Sequence, residues 1–195
     1  MSNEALWALG RGAGTVTLVL MTVSVLLGVL TRSGRPALGL PRFAVTRVHR
    51  DAGLLAAVLL GIHLVSLFFD PYAQLRIVDA VVPFLGTYRP VWQGLGTVAL
   101  DLLVAVLVTS LLRRRIGLRV WRGVHWATYG LWPVAVAHGL GNGTDAFTTW
   151  FLAVTAVCVL AVAAALVWRV QETFTEHAAN RVEPRAQRPS LERSR

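Results

Sequence analysis

Four of the five histidines in this chain form two pairs with almost equal spacing. His49 and His63 stand at positions i and i+14 of one apolar stretch, and His125 and His138 at i and i+13 of another. At about 1.5 Å of rise per helical residue, each pair spans roughly 20 Å, most of the apolar core of a bilayer. Neutral imidazole is a strong axial donor to haem iron. The spacing therefore predicts two haem levels, one towards each side of a membrane.

The depths of the histidines predict which of them share a metal. If both stretches are helices that cross in the same direction, His49 lies level with His125, and His63 lies level with His138. Two imidazoles on one iron fill both axial positions and leave none open, which suits electron transfer. We therefore expect two haem b groups, with these four residues as iron ligands. The fifth histidine, His177, lies in a polar tail and is expected to be solvated.

On an ideal helix, the two histidines of the first pair lie on the same face, whereas those of the second pair do not. At about 100° per residue, the i+14 spacing brings His63 to within about 40° of His49, whereas the i+13 spacing leaves His138 about 140° from His125. Pro133 lies between the latter two. Because proline removes a backbone donor and bends a helix, we expect a kink or a tightened turn there to correct the phase.

Composition predicts an all-α integral membrane protein. The chain has 195 residues, 55% of them hydrophobic, and its mean hydropathy is +0.58. We expect an outer segment 1–12, a haem-binding domain 13–170 and a largely disordered cytoplasmic tail 171–195. A loop over 70–90 is expected to carry an interfacial helix around 73–82. Stretches with few charges predict five transmembrane helices, near 13–31, 48–69, 91–112, 120–140 and 147–168.

The basic residues predict the orientation of the chain. All 19 are arginine, and 16 of them lie in 32–50, 113–122 and 169–195, which leaves three for the opposite side. The positive-inside rule then puts the N-terminus outside and the C-terminus in the cytoplasm. A composition rich in Arg, Ala, Val and Leu is typical of a GC-rich bacterial genome, so the expected location is a bacterial plasma membrane.

Other side chains near the histidines have two interpretations each. Four arginines are candidate donors to the carboxylates of an inner haem, or they only enforce topology. Three glycines offer places where a flat macrocycle approaches the backbone, or they only pack helices. The arginines are Arg47, Arg50, Arg119 and Arg122, and the glycines are Gly53, Gly61 and Gly130.

Two residues inside apolar stretches also need an account. Asp101 is the only carboxylate in its apolar stretch. A carboxylate inside a membrane pairs with another polar group, shifts its pKa or becomes neutral. We expect it to form a hydrogen bond to a neighbouring helix, with a proton or counter-ion role beside a haem as the alternative. Cys158 is the only cysteine, so no disulfide framework exists, and we expect it to be a small buried hydrophobe.

Over roughly residues 43–168 the chain resembles the ferric-reductase-like transmembrane domain family. The resemblance rests on RVHRDAGLLAAVLLGIH (47–63), on WRGVHWATYGLWPVAVAHGLGNGTD (121–145), and on the i+14 and i+13 histidine spacings within them. That family includes the membrane parts of NADPH oxidases and ferric reductases and the haem subunit of methionine-sulfoxide repair systems. The resemblance implies that the four paired histidines are haem ligands and that electrons pass from the cytoplasmic haem to the outer one.

These observations predict the membrane subunit of an oxidoreductase that carries single electrons across the membrane. About 27 residues follow the last predicted helix, too few for a dinucleotide fold, so we expect no FAD or NAD(P) site in this chain. Electrons would come from a separate flavin reductase or a quinol and pass to an outer acceptor, with lipid as the other partner and no nucleic acid. The alternative is a non-redox transporter or assembly protein whose histidines and Asp101 bind a metal or protons.

Overall fold

The computed structural model describes residues 3–33, 39–73 and 75–171. A short 3-10 helix, Ile77–Ala80, lies in the connection between the second and third α-helices. The α-helices are α1 Asn3–Ser33, α2 Arg42–Phe69, α3 Pro90–Leu111, α4 Arg113–Ile116, α5 Leu118–His125, α6 Thr128–Asn142 and α7 Thr149–Val170. Four of them, α1, α2, α3 and α7, are long and apolar enough to cross a membrane.

The helices differ from the predicted ones in several places, and α2 begins at Arg42, six residues before its predicted start. The first begins at Asn3, so most of the segment expected to lie outside as 1–12 is helical. The helix predicted near 120–140 is divided into α5 and α6 by a turn at Trp126 and Ala127. With 15 residues, α6 is about 22 Å long, and it needs α5 to complete a crossing. The predicted interfacial helix is reduced to the 3-10 turn, and the tail beyond residue 171 lies outside the described residues.

The turn between α5 and α6 supplies part of the phase correction that the histidine spacing requires. Three backbone N–H groups there bond to the carbonyl three residues earlier, at 2.9–3.1 Å, as in a 3-10 helix. Each residue of such a turn advances about 120° instead of 100°, so three residues recover about 60° of the 140° mismatch. The donors are Ala127, Tyr129 and Gly130. This part of the correction lies before Pro133, which is inside α6.

An arginine from the end of α7 packs against this turn. The Arg169 guanidinium lies 4.9 Å from the ring centre of Trp126 and 5.1 Å from that of Tyr129, and it donates a hydrogen bond to the Tyr129 hydroxyl. Stacked cations and aromatic rings attract each other through the ring quadrupole. This contact from a distant part of the chain helps to hold the tightened turn.

Two antiparallel helix pairs form the bundle. Most of the packing is between α1 and α2 and between α3 and α6, and α1 also contacts α6 and α7. Trp132 is buried in the core, where its indole N–H donates to the Thr22 hydroxyl at 2.9 Å. Cys158 is buried beside this core, as expected, and is a free thiol. The outward faces of α2 and α7 carry exposed valine and leucine side chains, which suits contact with lipid.

An ion pair between the buried carboxylate of Asp79 and the exposed guanidinium of Arg76 organises the connection between α2 and α3. Asp79 is only 2% exposed, and both its carboxylate oxygens accept hydrogen bonds from the Arg76 guanidinium, at 3.0 and 2.7 Å. The backbone carbonyl of Asp79 accepts a hydrogen bond from the Thr97 hydroxyl at 2.6 Å, which ties the loop to α3. These bonds and the positive charge of Arg76 hold the pKa of the Asp79 carboxyl below its usual value.

We expect the backbone amides of this loop to lose their protection from hydrogen exchange in acid. Because the pKa of Asp79 is lowered in the folded state, the ion pair stabilises the loop above about pH 4, the usual pKa of a free aspartate. The contribution is lost as the pH falls through the lowered pKa. Amide hydrogen exchange over 75–89 at pH 7, 5 and 3, corrected for intrinsic rates, measures this. Asp79→Asn should remove the pH dependence, and equal protection of the wild type at pH 3 and 7 would exclude the role of the pair.

Candidate functional site

The structure brings His49 of α2 and His125 at the end of α5 together. Their ring centres are 6.2 Å apart, and the ring planes are inclined by 75°. With metal–nitrogen bonds of about 2.0–2.1 Å, and about 1.1 Å from ring nitrogen to ring centre, imidazoles on opposite sides of one metal have centres about 6.3 Å apart. This predicted pair therefore has the spacing that a shared metal requires.

The other predicted pair, His63 of α2 and His138 of α6, lines a single cavity. Its volume is about 310 Å³, within the range of about 300–1,000 Å³ typical of cofactor pockets. One end of the cavity is polar and includes Arg11 and Asp145, which form a salt bridge between α1 and the α6–α7 connection. Apolar side chains line much of the remaining wall, among them Leu18, Met21, Leu103, Leu131 and Ala135.

Three of the four rings make the same backbone contact through Nδ1. In each case the partner is a main-chain carbonyl oxygen, which can only accept, so Nδ1 carries the proton and donates it. The Nε2 lone pair is then free to bind a metal, the arrangement usual for metal-ligating histidines. The distances are 2.8 Å from His49 to Ser24 O, 2.7 Å from His63 to Gly10 O and 2.8 Å from His138 to Trp92 O.

The fourth ring, His125, is held differently. Its Nδ1 is buried and has no hydrogen-bond partner among the described residues. The ring packs against Trp121, with centres 5.0 Å apart and planes inclined by 31°. The Trp121 indole N–H in turn donates to the Ser110 hydroxyl at 3.2 Å. Packing, and not a hydrogen bond, therefore orients this ring.

The histidine rings also lie directly against glycines that sequence reasoning did not select. A methyl group added at Gly14 would lie 3.0 Å from His63 Cε1, and one added at Gly96 would lie 2.5 Å from His138 Cε1. Gly28 is close to His49, at 3.4 Å from Cε1.

The glycines that the sequence singled out make no such contact. A methyl group at Gly61 or Gly130 would meet nothing within 4 Å, and one at Gly53 would meet only the Ser24 hydroxyl, at 3.6 Å. The signal that could have identified the right glycines is spacing, because Gly14 and Gly28 have the same i, i+14 relation as His49 and His63.

The four candidate arginines are not equivalent. Arg47 is 81% exposed and lies 3.6 Å from the Asp51 carboxylate one turn along α2. Arg50 and Arg119 are exposed, whereas Arg122 is half-buried one turn before His125. Arg122 is therefore the best placed of the four to meet an anionic group beside the inner pair.

Asp101 does not take the partner expected for it. It lies on the exposed face of α3, and within the described part of the chain it forms neither a hydrogen bond nor an ion pair. The cavity shared by His63 and His138 is lined by Leu100 and Leu103 but not by Asp101. Within the described residues, the hydrogen bond expected between Asp101 and a neighbouring helix is not formed, because the side chain is exposed.

Comparison with known proteins identifies the family. The model of the ferric reductase like transmembrane component matches residues 13–136, well over half of the chain, and three of the paired histidines lie within the match. No curated protein and no solved structure gives a match. Proteins of this family are generally haem-binding and usually work with a separate redox domain or partner. With its apolar helices, this chain is a multi-pass membrane protein that belongs to the ferric-reductase-like transmembrane family.

Proposed function

We propose that this chain is a di-haem b membrane cytochrome that carries single electrons from a cytoplasmic reductase or quinol to an acceptor outside. The observation that carries the proposal is the common orientation of the histidine rings. Three of the four donate Nδ1–H to a backbone carbonyl, which leaves Nε2 available for iron. The 6.2 Å between the His49 and His125 ring centres supports the same conclusion for the inner pair.

Each histidine pair has a defined task in this proposal. His49 and His125 would hold the inner haem, and His63 and His138 would hold the outer one. Haem iron held there would supply a one-electron couple. The Nδ1–H bonds to carbonyls keep the rings from rotating and make Nε2 a stronger donor. Along the helices the two levels are about 20 Å apart, so together they bridge most of an apolar core of about 30 Å.

The proposed topology has five crossings, with α5 and α6 together making the fourth. The N-terminus lies outside and the C-terminus in the cytoplasm of a bacterial plasma membrane, following the arginine distribution. At the cytoplasmic end, Arg122 is the first candidate to bind a haem carboxylate. The exposed run Arg113, Arg114 and Arg115 gives this end a basic surface that suits an acidic redox partner.

Electron transfer across sealed vesicles tests this function. The haem-loaded protein is placed in lipid vesicles that contain ferricyanide, and dithionite is added outside. We expect internal ferricyanide to be reduced at least about tenfold faster than in protein-free vesicles. This rate ratio corresponds to a barrier that is lower by about 1.4 kcal/mol. His63→Ala should abolish the difference. A rate equal to that of protein-free vesicles, with haem present, would overturn the proposal.

The geometry favours this function over a metal or proton transporter. Within the described residues, no group of three or more His, Cys, Asp or Glu side chains is placed to hold a metal ion. Asp101, the carboxylate on which the transporter hypothesis depends, is exposed on α3 and does not line the histidine cavity. The imidazoles are arranged in pairs, which is the ligand set of a haem with two axial histidines.

A further inference from the structure

The contact between α1 and His63 has two parts, separated by one helical turn. The carbonyl oxygen of Gly10 accepts the Nδ1–H of His63 at 2.7 Å, and Gly14 lies against the same ring. In an α-helix the carbonyl of residue i points towards residue i+4, and the Cβ of residue i+4 leans back towards that carbonyl. A Cβ at that position narrows the access of an outside donor to the carbonyl. Glycine at position i+4 therefore opens the carbonyl to the histidine.

The same two-part contact occurs at two other histidines. A carbonyl accepts the Nδ1–H, and a glycine at position i+4 from that carbonyl lies against the ring. The sets are Ser24 and Gly28 for His49, and Trp92 and Gly96 for His138. Three occurrences of one arrangement, on two different helices, indicate a common role.

In α1 the arrangement repeats with the period of the histidines it serves. Gly14 and Gly28 stand at positions i and i+14, as do His49 and His63 on the antiparallel helix α2. Because this spacing returns a helix to within about 40° of the same face, α1 presents both contacts to α2. One helix thus orients one ring at each of the two levels.

The fourth histidine, His125, lies at a level where α3 has no glycine at the corresponding position. On α3, the positions i+14 from Trp92 and Gly96 are occupied by Val106 and Ser110. The Val106 carbonyl accepts from the Thr109 hydroxyl at 3.2 Å, and the Ser110 hydroxyl accepts from the Trp121 indole. Nδ1 of His125 has no partner among the described residues. The arrangement is absent at the level where a side chain stands in the glycine position.

We infer that Gly14, Gly28 and Gly96 are positioning residues that open a backbone carbonyl to the ligand histidine and so fix its ring for the metal. This inference rests on the proposed function. The added methyl group would approach the ring to 2.5 Å at Gly96, 3.0 Å at Gly14 and 3.4 Å at Gly28. The shortest of these distances forces the ring to move, whereas the longest is close to an ordinary contact. The effects of alanine should therefore decrease in the order Gly96, Gly14, Gly28.

The test compares Gly96→Ala, Gly14→Ala and Gly28→Ala with Gly12→Ala. Gly12 lies on the same helix as two of them, and a methyl group there meets nothing within 4 Å. We expect Gly96→Ala to weaken haem binding at the outer level about 10- to 100-fold, the usual effect of losing a partner of a metal-ligating histidine. Gly14→Ala should weaken binding at the outer level by a smaller factor, and Gly28→Ala should weaken binding at the inner level by less than about threefold. Gly12→Ala should match the wild type.

Two readouts separate ring positioning from a general loss of stability. The midpoint potential of the outer haem in Gly14→Ala should rise, because an imidazole without its Nδ1–H bond is a weaker donor to ferric iron. In protein freed of haem and labelled with ¹⁵N-histidine, the variant should lose the Nδ1–H tautomer at one histidine. An unchanged potential and tautomer in Gly14→Ala, or an equal haem loss in Gly12→Ala, would overturn the inference. A wild type without haem would instead overturn the proposed function.

Discussion

Replacing either histidine of one pair by alanine is expected to lower the haem content from about two to about one per chain. His63→Ala and His138→Ala should remove the outer haem, and His49→Ala and His125→Ala should remove the inner one. The reason is that a single imidazole ligand binds the haem too weakly to retain it. The two members of a pair should leave the same residual spectrum and the same midpoint potential. Haem content by pyridine haemochrome and a redox titration of each variant measure this.

The control for these variants is His177→Ala, which replaces the histidine that lies outside both pairs. It should keep both haems. Residual spectra that group His49 with His63, instead of His49 with His125, would contradict the pairing by depth. So would a single-histidine variant that keeps the full haem content.

One extra residue between the histidines of α2 is expected to remove the outer haem. An alanine inserted after Ala57 turns His63 by about 100° and moves it about 1.5 Å along the helix, away from the Gly10 carbonyl. The inner pair lies on the other side of the insertion, so we expect about one haem per chain and an intact inner-haem spectrum. The transporter hypothesis, in which loosely arranged histidines bind protons or a metal, tolerates such a shift.

The matched control for this insertion restores the register within the same helix. The insertion after Ala57 is combined with deletion of Leu60, which returns the two histidines to their original i, i+14 spacing. The combined variant should regain the outer haem. Retention of both haems by the insertion alone would show that the register of α2 does not set the orientation of His63.

The sequence predicted most of the helices because long apolar stretches need a membrane-spanning helix to satisfy their backbone groups. It missed the start of α1, since residues 3–12 contain Glu4, Ala5 and Leu6, which favour helix without lying in the apolar stretch. It also missed the division between α5 and α6. That turn is packed against Arg169 at the far end of α7, and local pattern contains no information on such a contact.

The histidines could be predicted because imidazoles in a membrane are uncommon, and because their spacing along a helix gives their separation across the membrane. The glycines beside them are harder to identify, since a glycine has no side-chain chemistry and the contact depends on helix alignment. Only the i, i+14 spacing of Gly14 and Gly28 is a signal in the sequence. For Asp101 the residue type was informative, but its position on the helix could not be predicted. The residues next to it in sequence, 98–100 and 102–104, are all apolar, so the sequence does not indicate which face of α3 packs and which is exposed.

The most direct test of the central claim is the haem content of the purified wild-type protein, expressed with ample haem supply. A pyridine haemochrome assay with a reduced-minus-oxidised spectrum gives both the number and the type of haems. The paired imidazoles predict about two b-type haems per chain, both with low-spin bands because both axial positions are filled. A protein that folds and purifies without haem would contradict the account.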